Sequence, residues 1–150
     1  MQVHTGDIWS ETAERHVLIP CNNVICSSGL VMGKGLALQA KLRYPLLPKR
    51  ASRVIISHTE YASDYLLLLD ICIEGNQRIG IIQTKRHWRQ PSPLGLVLDS
   101  LRRLDSHASL FDDERYDTIL LGTGNGGLKR QDVLRLMHEL PDNVHVWTPR

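Results

Sequence analysis

Apolar and polar positions along the chain fall into two periods. His16 to Pro20 is a nearly continuous apolar run, the pattern of a strand buried on both faces, with Pro20 limiting how far it can donate into a ladder. Asp117 to Leu121 repeats that pattern. Tyr65 to Ile73 and Arg78 to Gln83 read as two strands joined by Glu74-Gly75-Asn76-Gln77, the clearest hairpin signal in the chain. Alternating Val144 and Val146 predict a last strand over Asn143 to Thr148. Met1 to His4 predicts a short edge strand that ends at the turn Thr5-Gly6-Asp7, and Val54-Ile55-Ile56 predicts a strand after a crossing that carries Pro45 and Pro48.

Helical spacing governs three other stretches. Gly33 to Arg43 is one, stopped by Tyr44-Pro45. In another, Leu94, Val97, Leu98, Leu101 and Leu104 share a face, Arg102-Arg103 point to water, Ser92 serves as N-cap and Pro93 opens the first turn. Arg130 to Leu140 is the last, with Val133, Leu136, Met137 and Leu140 on one side. Ile8 to Arg15 has room for one helical turn, and Cys21 to Val31, with Asn22-Asn23 and Ser27-Ser28-Gly29, is loop chemistry. Strands and helices alternate from mid-chain onward, which predicts an α/β layered sheet with some hairpin content. In such folds the loops at the carboxyl ends of strands form the binding crevice. The segment after Ile19, the stretch Thr84 to Arg89 and the loop after Leu121 would then meet at one rim.

Composition narrows the classes. At 150 residues the chain is expected to be one domain, with a formal net charge of +2 and no global basic field. Positive charge is concentrated in Lys85-Arg86-His87-Trp88-Arg89. Three cysteines, Cys21, Cys26 and Cys72, are too few for a disulfide framework and lack a zinc spacing, so buried, reduced thiols are expected. No leader pattern and no apolar run of about 18 residues is present, so a cytoplasmic protein is expected. His4, His16, His58, His107, His138 and His145 share no spacing, which leaves no metal or catalytic assignment among them. Asp112-Asp113 reads as a solvated loop. No cofactor is expected.

Two glycine-rich stretches carry the candidate chemistry. Val31-Met32-Gly33-Lys34-Gly35-Leu36 runs into a helix, where unpaired N–H groups and the macrodipole suit an anion; a plain turn is the competing reading. It is not a Walker A loop: Gly29 precedes Gly33-Lys34 by one residue too few, and Gly35 occupies the hydroxyl position. Gly122-Thr123-Gly124-Asn125-Gly126-Gly127 is the second stretch, and the two loops together could clamp a diphosphate.

These motifs resemble the macro domain family of ADP-ribose-binding modules. Gly6-Asp7-Ile8 resembles its opening motif, and Val17-Leu18-Ile19 followed by Asn22-Asn23 its strand ending in asparagine. Val31 to Gln39 with Tyr44-Pro45, Thr84 to Arg89, and Gly122 to Leu128 resemble the DarG-type ADP-ribosyl glycohydrolase branch, whose members remove ADP-ribose from DNA bases; relatives act on acidic protein side chains. The resemblance implies a three-layer α/β/α fold with a central mixed sheet, spanning residues 1–150 as a single macro domain. It implies ADP-ribose, or a macromolecule that carries it, as partner, DNA ahead of protein, with no membrane. Three departures stand out: a longer interval from Asn23 to Met32, Pro20-Cys21 where polar residues are usual, and Gly126 where protein-directed relatives have a catalytic aspartate. The branch also has a C-terminal extension beyond the macro domain, whose function is not expected of a chain read to Arg150.

The resemblance distributes roles as follows. Lys85 would be catalytic, near the anomeric carbon of the distal ribose, as proton donor, electrostatic stabiliser or nucleophile; a surface lysine in a basic turn is the plainer alternative. Asn23 would orient the distal ribose or a water. Asp7 would accept from the adenine amine, beside Ile8, and Trp147 would either touch the adenine face or pack in the core. The amides of Met32, Gly33, Lys34, Gly35 and Leu36 and of Gly122, Thr123, Gly124, Asn125, Gly126 and Gly127 would hold the diphosphate. Arg86, Trp88 and Arg89 would contact single-stranded nucleic acid, or Trp88 would bury against the helix after Ser92. Competing functions are a non-catalytic ADP-ribose or nucleotide-signal binder, a phosphatase acting on ADP-ribose 1''-phosphate, and a basic-loop nucleic-acid binder.

Overall fold

A computed structural model describes residues 1–60 and 63–150. Strands β1 (Gln2–Thr5), β2 (Arg15–Cys21), β5 (Leu67–Glu74), β6 (Gln77–Gln83), β7 (Tyr116–Ile119) and β8 (Val144–Thr148) form one sheet in the order β1-β8-β7-β2-β6-β5. Every neighbouring pair is parallel except β5 with β6, so the sheet is mixed. A small antiparallel hairpin, β3 (Ile25–Cys26) with β4 (Gly29–Leu30), stands apart, within a segment expected to be loop throughout. Among the described residues no helix is long and apolar enough to cross a membrane.

The period of two along β2 and β6 separates two cores. Val17, Ile19, Ile79 and Ile81 face helices α1 (Gly35–Arg43) and α2 (Leu47–His58), packing against Leu36, Ala40, Leu47, Ala51 and Ile55. Leu18 and Ile82 face the other side, against Val97, Leu101 and Leu104 of α3 (Leu94–Leu110) and Val133 and Met137 of α4 (Arg130–Met137). The result is three layers, α/β/α. Pro20 interrupts little: the ladder between β2 and β7 already ends at Val17, while that to β6 runs on to Cys21.

Several expectations are corrected. Val54-Ile55-Ile56 lies in α2, not in a strand. Strand preference of β-branched residues is worth up to about 1 kcal/mol. Leu47, Ala51 and Ile55 recur every four residues and bury one face, each large side chain contributing roughly 2 kcal/mol. Pro48 sits in the first turn of α2, where its missing N–H costs nothing. Ser92 is not a capping residue: Pro93 occupies the N-cap and no side chain caps α3. Leu94 and Leu136, expected on buried faces, are exposed, as is Cys26; Cys21 and Cys72 are buried free thiols.

Candidate functional site

The carboxyl ends of β2, β6 and β7 open onto a cleft of about 1120 Å³. Three of the loops that line it begin where these strands end: Asn22 after β2, Thr84-Lys85 after β6, and Gly122 to Gly126 after β7. The expected convergence at one rim is therefore observed.

The first glycine stretch supplies one wall. Lys34 is the N-cap of α1 in extended backbone, and Gly35 takes φ +56°, a turn conformation that glycine adopts without Cβ strain. The first α1 hydrogen bond that reaches back to the cap is Leu38 N–H to Lys34 O (3.2 Å), so the N–H groups of Gly35, Leu36 and Ala37 have no partner within the helix and border the cleft. No acidic residue occupies that first turn. Opposite, Gly124–Gly126 forms a short 3-10 turn, closed by Leu128 N–H donating to Gly122 O (3.0 Å). Gly127, at φ +79°, is the cap of that turn and does not border the cleft; the other glycine-loop candidates do.

At one end Asp7 caps the short 3-10 helix Ile8–Ser10, with Oδ1 accepting from Trp9 N–H (3.0 Å). Ile8 is buried behind it, its carbonyl held by Arg15 Nη2 (2.6 Å). Trp147 is largely core: Nε1 donates to Asp117 Oδ2 (2.8 Å), its ring stacks on His4, and only part of it reaches the cleft.

At the other end Lys85 Nζ donates to the carbonyls of Asn125 (3.2 Å) and, more weakly, Trp88 (3.5 Å), bridging the second glycine loop to its own loop. Partial burial, and then the neighbouring Lys34 charge, lowers its pKa below the ordinary lysine range. Lys34, Lys85, Arg89 and Arg130 line the cleft, none of them in an ion pair among the described residues, and Asp7 is its one carboxylate. This excess of positive charge fits a polyanionic ligand.

Besides Gly127, two candidates are not brought to the cleft. Asn23 turns away and donates from Nδ2 to Ser63 O (2.8 Å); its neighbour Asn22 borders the cleft instead. Arg86 points outward into a two-pronged pair with Asp64. Trp88 and Arg89 do reach the rim, with Trp88 43% exposed rather than buried on α3, and the Arg89 guanidinium 4.6 Å from its ring centre. Gln39, Ser92 and Arg130 border the cleft without having been named as site residues. Arg130 had a signal, as the first arginine after a phosphate-type loop; Gln39 and Ser92 had none. Among the described residues no cluster of three or more His, Cys, Asp or Glu could hold a metal ion.

No protein-family model matches the chain. Two curated proteins described as DNA ADP-ribosyl glycohydrolase, from Mycobacterium bovis and Mycobacterium tuberculosis, are each 33% identical over 143 residues. The match covers 92% of this chain but only 39% of those relatives' length. Among solved structures, the macrodomain of Mycobacterium tuberculosis DarG superposes with a TM-score of 0.68 at 29% identity, covering 99% of this chain and 97% of that one. The macrodomain of Thermus aquaticus DarG gives 0.68 at 25% identity over the same shares. Thermosipho africanus DarTG in complex with ADP-ribose gives 0.72 at 22% identity, covering 99% of this chain and 42% of that one, a likeness of fold. Sequence relatives and superposed folds agree, and the chain is a macro domain of the DarG type.

Proposed function

We propose that this macro domain binds ADP-ribose in the cleft and hydrolyses the N-glycosidic bond that joins an ADP-ribosyl group to a DNA base. The two glycine loops would hold the diphosphate on backbone N–H groups, Asp7 would accept from the adenine amine, and the distal ribose would lie against Lys85 and Asn22. In the reaction the bond between the anomeric carbon and the base nitrogen breaks. Its electron pair leaves with the base, which takes a proton, and water supplies the oxygen that bonds to the carbon.

One observation carries this reading. Lys85 Nζ lines the glycine-walled cleft with one N–H directed at the carbonyl of Asn125 and a second, more weakly, at that of Trp88. An ammonium so held has its third N–H free for the departing base. DNA is favoured over protein as carrier by the unpaired cations of the cleft and by Trp88 exposed at its mouth, where stacking and phosphate contacts serve a single strand. Gly126 points the same way, standing where the protein-directed relatives have a catalytic aspartate. A cytoplasmic location goes with this reading.

The test is release of free ADP-ribose from an oligonucleotide that carries it on thymidine. Wild type should turn over, and Lys85→Ala should lose roughly 10²–10⁴-fold in rate while still binding ADP-ribose by calorimetry. Absence of turnover by wild type, with ADP-ribose bound, would reduce the protein to a binding module.

A further inference from the structure

Gln83, the last residue of β6, is fully buried, and every hydrogen-bonding position of its amide is used. Oε1 accepts from the backbone N–H groups of Tyr65 (2.9 Å) and Leu66 (3.3 Å). Nε2 donates to Asp64 Oδ1 (3.0 Å) and to the carbonyl of Lys85 (3.2 Å). The flipped amide would set oxygen against a carboxylate and NH₂ against two donors, so one orientation satisfies the surroundings. Asp64 then takes Arg86 with both oxygens, Nε to Oδ1 at 3.1 Å and Nη2 to Oδ2 at 2.9 Å.

Neighbouring residues pin the backbone on both sides of Lys85. Thr84 N–H donates to Cys21 O (3.0 Å), and Asn23 N–H donates to Arg86 O (3.4 Å). Asn23 also holds Ser63 O, and the buried Tyr65 hydroxyl donates to Asn22 O (2.7 Å). Leu66 lies at φ +62°, a left-handed conformation unfavourable for leucine, with its carbonyl bonded to Gln83 N–H (2.8 Å). Strain of this kind persists where the surroundings over-determine it, and it gathers at functional sites.

We propose that Gln83, Asp64 and Arg86 form a brace that fixes the backbone carrying Lys85, with Arg86 a positioning residue and not a nucleic-acid contact. The inference rests on the reading of Lys85 as catalytic. A lysine side chain has four rotatable bonds, so its Nζ is placed only as well as its Cα is held. The Asp64 and Arg86 side chains are 28% and 54% exposed, and an ion pair of that exposure adds little to folding stability. Loss of the ion pair in Arg86→Ala should therefore appear in the chemical step and not in the melting temperature, whereas Asp64→Ala also leaves a Gln83 N–H without its acceptor and should lower both.

Asp64→Ala and Arg86→Ala are each expected to lower kcat for ADP-ribose release roughly 10–100-fold, the scale of a small misplacement at the reacting centre. Affinity for ADP-ribose should change less than about threefold, and the double variant should be no slower than the slower single one. Arg86→Lys should recover only part, because an ammonium cannot make two parallel bonds to a carboxylate. In parallel, pH-dependent acetylation of Lys85, read by mass spectrometry, needs no turnover. In both alanine variants its labelling should move to higher pH, toward that of an exposed lysine. Unchanged kcat in both variants, a fall in kcat matched by an equal loss of ADP-ribose affinity, or an unchanged labelling profile overturns the brace. If wild type hydrolyses nothing, the catalytic reading of Lys85 fails, and the labelling still decides whether the brace controls its surroundings.

Discussion

Lys85 donates two hydrogens to carbonyl oxygens in its resting position. An ammonium there retains one hydrogen and a neutral amine retains a lone pair, so the same placement would serve a proton donor or a nucleophile. The pH profile separates them. Burial, followed by the charge of Lys34, lowers the Lys85 pKa below the ordinary lysine value of about 10.4. A donor is active when protonated, so kcat should fall as pH rises through that lowered pKa, and Lys34→Ala should move the falling limb to higher pH by removing the like charge. A kcat that rises over the same range would assign the amine as nucleophile. That the Thr84 to Arg89 stretch brings a lysine to the cleft was legible from its motif. The paired asparagines were not, because residue type cannot tell which of two neighbours faces a cleft. Asn22 is set there by its own contacts, Oδ1 taking Val24 N–H (2.9 Å) and Nδ2 donating to Val31 O (3.0 Å), while Asn23 faces Ser63.

Positive φ accounts for glycine in both loops, at Gly35 in the first and at more than one position in the second, but not for every glycine there. In the second loop Gly122 and Gly124 take positive φ, whereas Gly126 is excluded from carrying a side chain by its neighbour. A Cβ at position 126 would lie 2.4 Å from Ser92 Oγ and 3.1 Å from Ser92 Cβ. Gly126→Ala should weaken ADP-ribose binding by a factor on the order of 10, as overpacking displaces the loop, and adding Ser92→Gly should restore most of the affinity. Calorimetric titration of both proteins checks this; wild-type affinity in the single variant would mean that Ser92 yields without moving the loop. Ser92 was read from the chain as a helix cap. Its Oγ instead has no hydrogen-bond partner among the described residues, because the residue packs beneath the glycine loop, with its N–H on Gly126 O (2.8 Å). Similarly α2 was hidden by Pro48, a residue that breaks a helix at its middle but is tolerated in a first turn.

Across the molecule, a buried polar network ties the site to the sheet. Asp117, fully buried on β7, accepts from Arg15 Nη1 (2.8 Å), Arg115 Nε (2.7 Å) and Trp147 Nε1 (2.8 Å), and Arg15 in turn holds the Ile8 carbonyl beside Asp7. Burial alone would raise the Asp117 carboxyl, but the hydrogen bonds from Arg115, Trp147 and Arg15 outweigh it and keep the pKa below the usual carboxylate range. The folded value lies below the unfolded value of about 3.9, so the network's contribution is complete above that pH and is lost as pH falls through the folded value. Asp117→Asn leaves the buried Arg15 charge without its counter-ion. Urea unfolding should show a loss of about 3–5 kcal/mol at neutral pH, narrowing in acid; a loss under about 1 kcal/mol would mean that the arginines find water or other partners. Much of the architecture is local in the chain: hydrophobic periods of two and near four mark the strands and most helices, and glycine runs mark two of the loops that line the cleft, because these properties depend on residues a few positions apart. Partnerships across the fold are different. Lys85 meets Asn125, Gln83 meets Asp64, and Arg15 meets Asp117 only through the strand order β1-β8-β7-β2-β6-β5 and the loops that hang from it. A basic run reads the same whether its arginine faces a ligand or a carboxylate. Only the packed sheet, which sets where each Cα lies, decides between them.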